Sequence, residues 1–298
     1  MANPDLLGLS ISQINSLSWN IEREQVLSEA IQNINVAITF DREKLQQVLN
    51  NIDLQRVFDL ALSLQEHLLT LRKSNKKELN VTLKDLCNLL EKLLNNFSPP
   101  EILGSYTNKL LQCLESEASE EVELLCVHQI YRATENDEDI AVLQSCKDVL
   151  ILILRKIASP YLSTASTCRK ILSRLFNQAE ATSWLFTAEV SSVCQSLLQK
   201  DVIIRMRLYE VFADFVSTFP DFVQKATDFG IFNKLVDELK TSDDVLSQLN
   251  ALEIVARVGT SGKQGLQFIY ERNIHEWLAS LLDSADPFTE MLIPGLFT

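Results

Sequence analysis

The feature that most narrows what this chain can fold into is a repeat. From residue 108 onward, short apolar helical words recur. They are Asn108-Lys109-Leu110-Leu111, Lys147-Asp148-Val149-Leu150, Val190-Ser191-Ser192-Val193, Ile231-Phe232-Asn233-Lys234-Leu235 and Ile274-His275-Glu276-Trp277-Leu278. Starts near 108, 149, 190, 231 and 274 are 41, 41, 41 and 43 residues apart. That spacing falls within the window of about 40–47 residues of armadillo and HEAT repeats. Each of the first four words leads into a longer amphipathic helix, at Val122–Ala133, Ala165–Phe176, Val202–Val216 and Val245–Val258, and then a third short helix, and the fifth begins another unit. One such unit cannot bury its apolar face alone; stacked units share a continuous core and leave an extended concave surface. The prediction is an all-α, armadillo/HEAT-like α-solenoid superhelix.

Composition agrees with helices. Seven glycines and seven prolines in 298 residues are too few for the turns of a β-rich chain. Period-3.6 patterning also covers the first hundred residues, at Glu22–Phe40, Glu43–Arg72 (with a break near Ile52-Asp53) and Glu78–Phe97. Residues 72–77 read as a basic loop, and Ser98-Pro99-Pro100 stops a helix before proline. Gly230 fits a helix C-cap before the fourth unit. The expected organisation is one domain over residues 1–298: divergent units and a cap in 1–100, then regular repeats of 41–43 residues in 101–298.

A net charge of −13 disfavours nucleic acid and anionic membrane surfaces as partners. The six scattered cysteines (Cys87, Cys113, Cys126, Cys146, Cys168 and Cys194) have no CxxC spacing and read as reduced, buried hydrophobes. The N-terminus has no basic segment ahead of its apolar residues, and the longest apolar run, Val149–Leu154, is too short to span a bilayer. The sequon at Asn80-Val81-Thr82 is a chance match in such a chain. A monomer in the cytoplasm, or also the nucleus, is expected.

Aligning the four long helices stacks polar residues into columns. His128, Lys170, Glu210 and Glu253 form one, and Arg132, Arg174, Asp214 and Arg257 form a second. A third holds Leu125, Thr167, Arg207 and Asn250. Such columns line the groove, form an outward solvated ridge, or reflect misaligned helices. Groove lining for a protein partner is the reading carried forward. It predicts a face that is basic in its early units and acidic at Glu210, Asp214 and Glu253.

Chemistry-bearing motifs are absent from the text. His67, His128 and His275 have no HExxH or Cys/His zinc spacing, and no GxSxG occurs. Residues 259–265, GTSGKQG, lack the first glycine and the hydroxyl residue of a phosphate loop, so an inter-helix turn is predicted there. Asp137-Glu138-Asp139 reads as an acidic loop. No catalytic residue, cofactor or metal is expected.

Particular words in the repeats resemble a known family. They are Val122–Asn136 (VELLCVHQIYRATEN), Asp201–Val211 (DVIIRMRLYEV), and Ser284–Phe288 (SADPF) followed by Leu292–Gly295 (LIPG). In this order they are similar to the 26S proteasome non-ATPase regulatory subunit 5 family, from about residue 50 to the end and best after residue 120. The resemblance implies a non-enzymatic chaperone of proteasome base assembly. Such a chaperone would hold the C-terminal domain of one proteasomal ATPase subunit within base assembly intermediates and be absent from the finished proteasome. It supplies no short binding motif to carry across. The rival for the same fold is a general adaptor or scaffold for transport or signalling. Family members run longer, and the ending with Leu292, Ile293, Leu296 and Phe297 is apolar where a terminal repeat needs a polar face. A fragment, a truncated gene model or a short isoform is therefore expected, with poor solubility.

Overall fold

Several helix starts in this chain are set by side-chain chemistry. In the computed structural model, which describes residues 4–17, 21–70, 76–115, 119–178 and 181–283, polar residues at the N-caps accept otherwise unpaired backbone N–H groups. Asp41 accepts from Glu43 and Lys44, Ser119 from Val122, Thr187 from Val190, Asp201 from Ile204, and Asp244 from Ser247. Ser98 and Glu101 form a capping box with proline in the first turn. Ser98-Pro99-Pro100 therefore starts a helix as well as following one. Asp137-Glu138-Asp139, expected as a loop, is the first turn of a helix, where Asn136 and Asp139 cap one another and acids suit the helix dipole.

Contacts group the chain into two compact units, Met1–Ser145 and Cys146–Thr298. The first contains α1 (Pro4–Ser16), α2 (Glu24–Thr39), α3 (Arg42–Asn51), α4 (Leu54–Thr70), α5 (Lys76–Leu94), α6 (Pro99–Ser105), α7 (Thr107–Glu115), α8 (Glu120–Arg132) and α9 (Asp137–Ser145). Here α1 pairs with α2, α4 with α5 and α7 with α8. Across the pairs, α1, α4 and α7 form one layer and α2, α5 and α8 the other. The repeat pattern thus reaches the first helix, and the break near residues 52–53 separates α3 from α4. Of the residues expected in a basic loop, 72–75 lie outside the described residues and Lys76 opens α5.

The second unit contains α10 (Lys147–Lys156), α11 (Leu162–Leu175), α12 (Ala181–Leu185), α13 (Ala188–Leu198), α14 (Val202–Thr218), α15 (Val223–Asp228), α16 (Ile231–Thr241), α17 (Val245–Thr260), α18 (Lys263–Glu271) and α19 (Ile274–Asp283). The long helices α11, α14 and α17 pack side by side in one layer. Helices α10, α13 and α16 form the other, each paired with the long helix that follows it. The observed starts of α7, α10, α13, α16 and α19 lie within two residues of the expected ones. All described secondary structure is helical, an all-α fold of armadillo/HEAT-like solenoid type.

The core of the second unit is aromatic. Phe215 is fully buried. Its ring centroid lies 5.1 Å from Phe176, 5.6 Å from Phe186, 5.2 Å from Phe219 and 5.6 Å from Phe222. Lys225 sits 4.7 Å over the Phe222 ring. Gly230 has φ 84 between α15 and α16, the left-handed conformation of a helix-ending glycine. The glycines of residues 259–265 serve packing. Gly259 is in the last turn of α17, where an added Cβ would lie 2.9 Å from the Ile269 side chain, and Gly265 is in the first turn of α18, where one would lie 2.0 Å from the Val258 carbonyl oxygen. The expected turn is only Ser261-Gly262.

Five cysteines are buried and Cys146 is half-buried. Burial pushes the Cys194 thiol up to about 12 and raises Cys87 strongly, which keeps both protonated. Leu292, Ile293, Leu296, Phe297 and the words at 284–295 lie outside the described residues.

The caps give the fold an acid-sensitive edge. Donated hydrogen bonds hold three carboxyls below their ordinary range: Asp41 through the Lys44 N–H, Glu101 through the Ser98 N–H, and Asp244 through the Ser247 hydroxyl. A carboxyl depressed in the folded state stabilises above its unfolded pKa and loses that contribution as pH falls through the folded one. The triple variant D41N/E101Q/D244N should be less stable than the parent at pH 7. In urea titrations that difference should close as the pH falls through the depressed folded-state values of these carboxyls. A difference that persists unchanged in acid would show that the caps act through shape alone.

Candidate protein-interaction face

The long helices of the second unit are fastened to one another by charge. Arg169 on α11 binds Glu210 on α14, and its Nη2 lies 3.2 Å from Asp214 Oδ2. The other oxygen of Asp214 lies 2.7 Å from Arg257 Nη1 on α17. One carboxylate therefore joins arginines from the helices on either side of it. These side chains are between a fifth and two-fifths exposed. A single such pair is worth about 0.2–1 kcal/mol, and its larger effect is to fix register.

The bonds test the column alignment. Glu210, Asp214 and Arg257 come together, as their columns placed them. Lys170 and Arg174 are one residue out of register, and their places are taken by Arg169 and Ser173. Two adjacent cations made the text ambiguous; the 41-residue step from Arg169 to Glu210, matching three of the four unit spacings, was the available signal. Lys170, Glu253 and Asn250 are exposed. Arg207 does not stand out as a surface cation. Its Nη1 donates to the carbonyl oxygens of Ile157 and Ser159, both at 3.0 Å, closing the C-terminal end of α10.

In the first unit, His128 Nδ1 lies 3.5 Å from Glu91 on α5, on a half-exposed surface. Arg132 donates to the carbonyls of Leu94 at 3.2 Å and Phe97 at 3.0 Å, closing the end of α5 much as Arg207 closes α10. Leu125 is buried core. The expected basic-to-acidic gradient is not what these bonds make. Arg132 and Arg207 are committed to carbonyls, while Arg169 and Arg257 face acids.

A second cluster was missed from the sequence. On another side of α14, Arg205 Nε binds Glu238 Oε1 of α16, which also accepts from the Tyr209 hydroxyl at 3.0 Å. Burial, and then the Glu238 carboxylate, push the Tyr209 hydroxyl far above the usual phenol range, so it remains a donor. A cavity of about 520 Å³ between α17, α18 and α19 is lined by residues such as Leu252, Val255, Leu266, Ile269 and Leu278. Its lining has no carboxylate, imidazole or thiol. Among the described residues, no group of three His, Cys, Asp or Glu is placed to hold a metal ion, and no helix is long and apolar enough to cross a membrane.

The profile of the proteasome non-ATPase 26S subunit family matches residues 12–298. The chain belongs to that family. Relatives include the 26S proteasome non-ATPase regulatory subunit 5 of Bos taurus and that of Homo sapiens, each 26% identical over 255 residues and 84% of this chain. The match covers 49% of each, so the chain spans about half the length of these curated relatives. An engineered protein of known crystal structure superposes with a TM-score of 0.51 at 16% identity, over 98% of this chain and 68% of that one. That likeness shows the fold alone. A designed armadillo repeat protein gives a TM-score of 0.46 at 16% identity, over 84% of this chain and 99% of the other. For this member of the proteasome subunit family, the long-helix layer of the second unit is the candidate face.

Proposed function

We propose that the chain is a non-enzymatic assembly chaperone of the 26S proteasome regulatory particle base. It acts as a monomer in the cytoplasm, and also in the nucleus. It holds the C-terminal domain of one proteasomal ATPase subunit on the exposed face of α11, α14 and α17. Family membership carries this reading. The cross-helix ion pairs support it, because they order a polar surface across three repeats, and complementary charge governs register and on-rate more than affinity.

The test uses charges that lie on the face and outside its ion pairs. K170E/E253K should slow association with the ATPase C-terminal domain by about threefold or more and change its salt dependence. K234E/D237K, on exposed positions of α16 in the other layer, should leave both unchanged. If the second variant weakens binding and the first does not, the face is wrongly chosen. Co-purification from cell extract should return ATPase base subunits. Recovery of transport or signalling proteins in their place would replace this reading with that of a general adaptor.

A further inference from the structure

Among the described residues of the second unit, five large hydrophobic side chains are exposed: Leu162, Ile203, Leu246, Leu266 and Tyr270. Three of these occupy one repeat position. Leu162, Ile203 and Leu246 are 72%, 63% and 69% exposed, in the first turns of α11, α14 and α17. The ion pairs support the equivalence, together with the 41- and 43-residue steps between the three positions. Seven residues after each aliphatic stand Arg169, Glu210 and Glu253, and the first two are bonded. Eleven residues after Ile203 and Leu246 stand Asp214 and Arg257, also bonded. Offsets of seven and eleven stay on one face of a helix. The aliphatics therefore form a row at one height, about two helical turns from the ion pairs and on the same face.

We propose that this row docks an amphipathic helix of basic character, laid across the array with one apolar residue at every seventh position. Packed helices lie about 8–10 Å apart, and seven residues of an α-helix rise about 10.5 Å. Successive apolar residues of the docked helix therefore meet successive aliphatics of the row. Charge selects the basic character. Asp201, Asp243 and Asp244 are exposed beside Ile203 and Leu246, and Asp243 is additional to the acid used in the α17 cap. A second copy of this chain, net charge −13, would bring the same acids against each other, and an anionic bilayer would be repelled. Assignment of the docked helix to the ATPase C-terminal domain rests on the function proposed above; the row itself does not.

The experiment uses the full chain and a synthetic helical peptide of alanine and lysine with leucine at every seventh position, followed by fluorescence anisotropy. The parent chain should bind it. L162D/I203D/L246D should weaken binding about tenfold or more, although the added acids increase attraction for lysine, so the loss reports the apolar row. Aspartate in a helix's first turn preserves the helix, which circular dichroism checks. A peptide with the same residues in scrambled order, or with glutamate replacing lysine, should bind at least tenfold more weakly. Equal binding of the scrambled peptide or of the triple variant overturns the proposal. A parent chain that self-associates in sedimentation, with the triple variant monomeric, assigns the row to a second copy and overturns it too. The ATPase C-terminal domain separates the two readings. If the peptide binds the row and that domain binds neither form, the proposed function fails alone. If the domain binds both forms equally and the peptide binds neither, the row fails alone.

Discussion

Phe215→Ala should lower stability by about 3–5 kcal/mol, the usual cost of emptying a buried phenylalanine site. The ring touches four others, from Phe176 just after α11, through Phe186 after α12, to Phe219 and Phe222 beyond α14. Its loss removes both transfer energy and the two edge-to-face contacts, with Phe176 and Phe222, of about 0.5–1.5 kcal/mol each. Because the partners come from three segments, the void cannot close by moving one helix. Urea or thermal unfolding measures the loss, with a fall in Tm of about 10 °C. Phe215→Leu, which keeps most of the volume, should cost less than half as much. A change within about 1 kcal/mol for the alanine variant would mean that the neighbouring rings refill the space.

Arg205→Met should cost about 3 kcal/mol, because it leaves the mostly buried Glu238 carboxylate without its cation. Glu238 is 12% exposed, and its Oε2 already has no hydrogen-bond partner. The double variant R205M/E238Q should recover most of the loss. A neutral amide needs no counter-charge, and its carbonyl still accepts from Tyr209. The pair is thus expected to be strongly non-additive in a double-mutant cycle. If the losses simply add, the two residues act independently and the ion pair contributes nothing of its own.

The fold was readable because its determinants are local. N-cap residues, apolar periodicity and unit length are written in consecutive residues, so the starts of α13, α16 and α19 were placed to within two residues. Where the reading missed, two of the deciding contacts were local ones between polar or small residues, and the rest came from partners distant in sequence. Asp137-Glu138-Asp139 opens a helix because Asn136 closes a cap with Asp139. Residues 259–265 are mostly helical because Gly265 lets α18 approach the Val258 carbonyl. The polar stripe was legible in outline, since Glu210, Asp214 and Arg257 meet across helices. Its register on α11 was not, because Arg169 and Lys170 are equally cationic and only a bond formed 41 residues away distinguishes them. Arg132 and Arg207 look like surface cations in the text. Their carbonyl partners lie 35 to 50 residues earlier, and backbone acceptors leave no mark in a sequence.

Those two arginines limit how such a chain can change length. Each closes the end of a helix belonging to the preceding module, so the modules that contain α5 and α10 depend chemically on the ones that follow. Inserting or deleting part of a module between Ile157 and Arg207 would carry the guanidinium out of reach and leave two carbonyls unsatisfied. Adding a whole module outside the span from Ile157 to Arg207 would leave that clasp intact. Lineages of this fold should therefore change length outside the spans Leu94–Arg132 and Ile157–Arg207, and the joints tolerant of fusion or excision should fall between those two clasps.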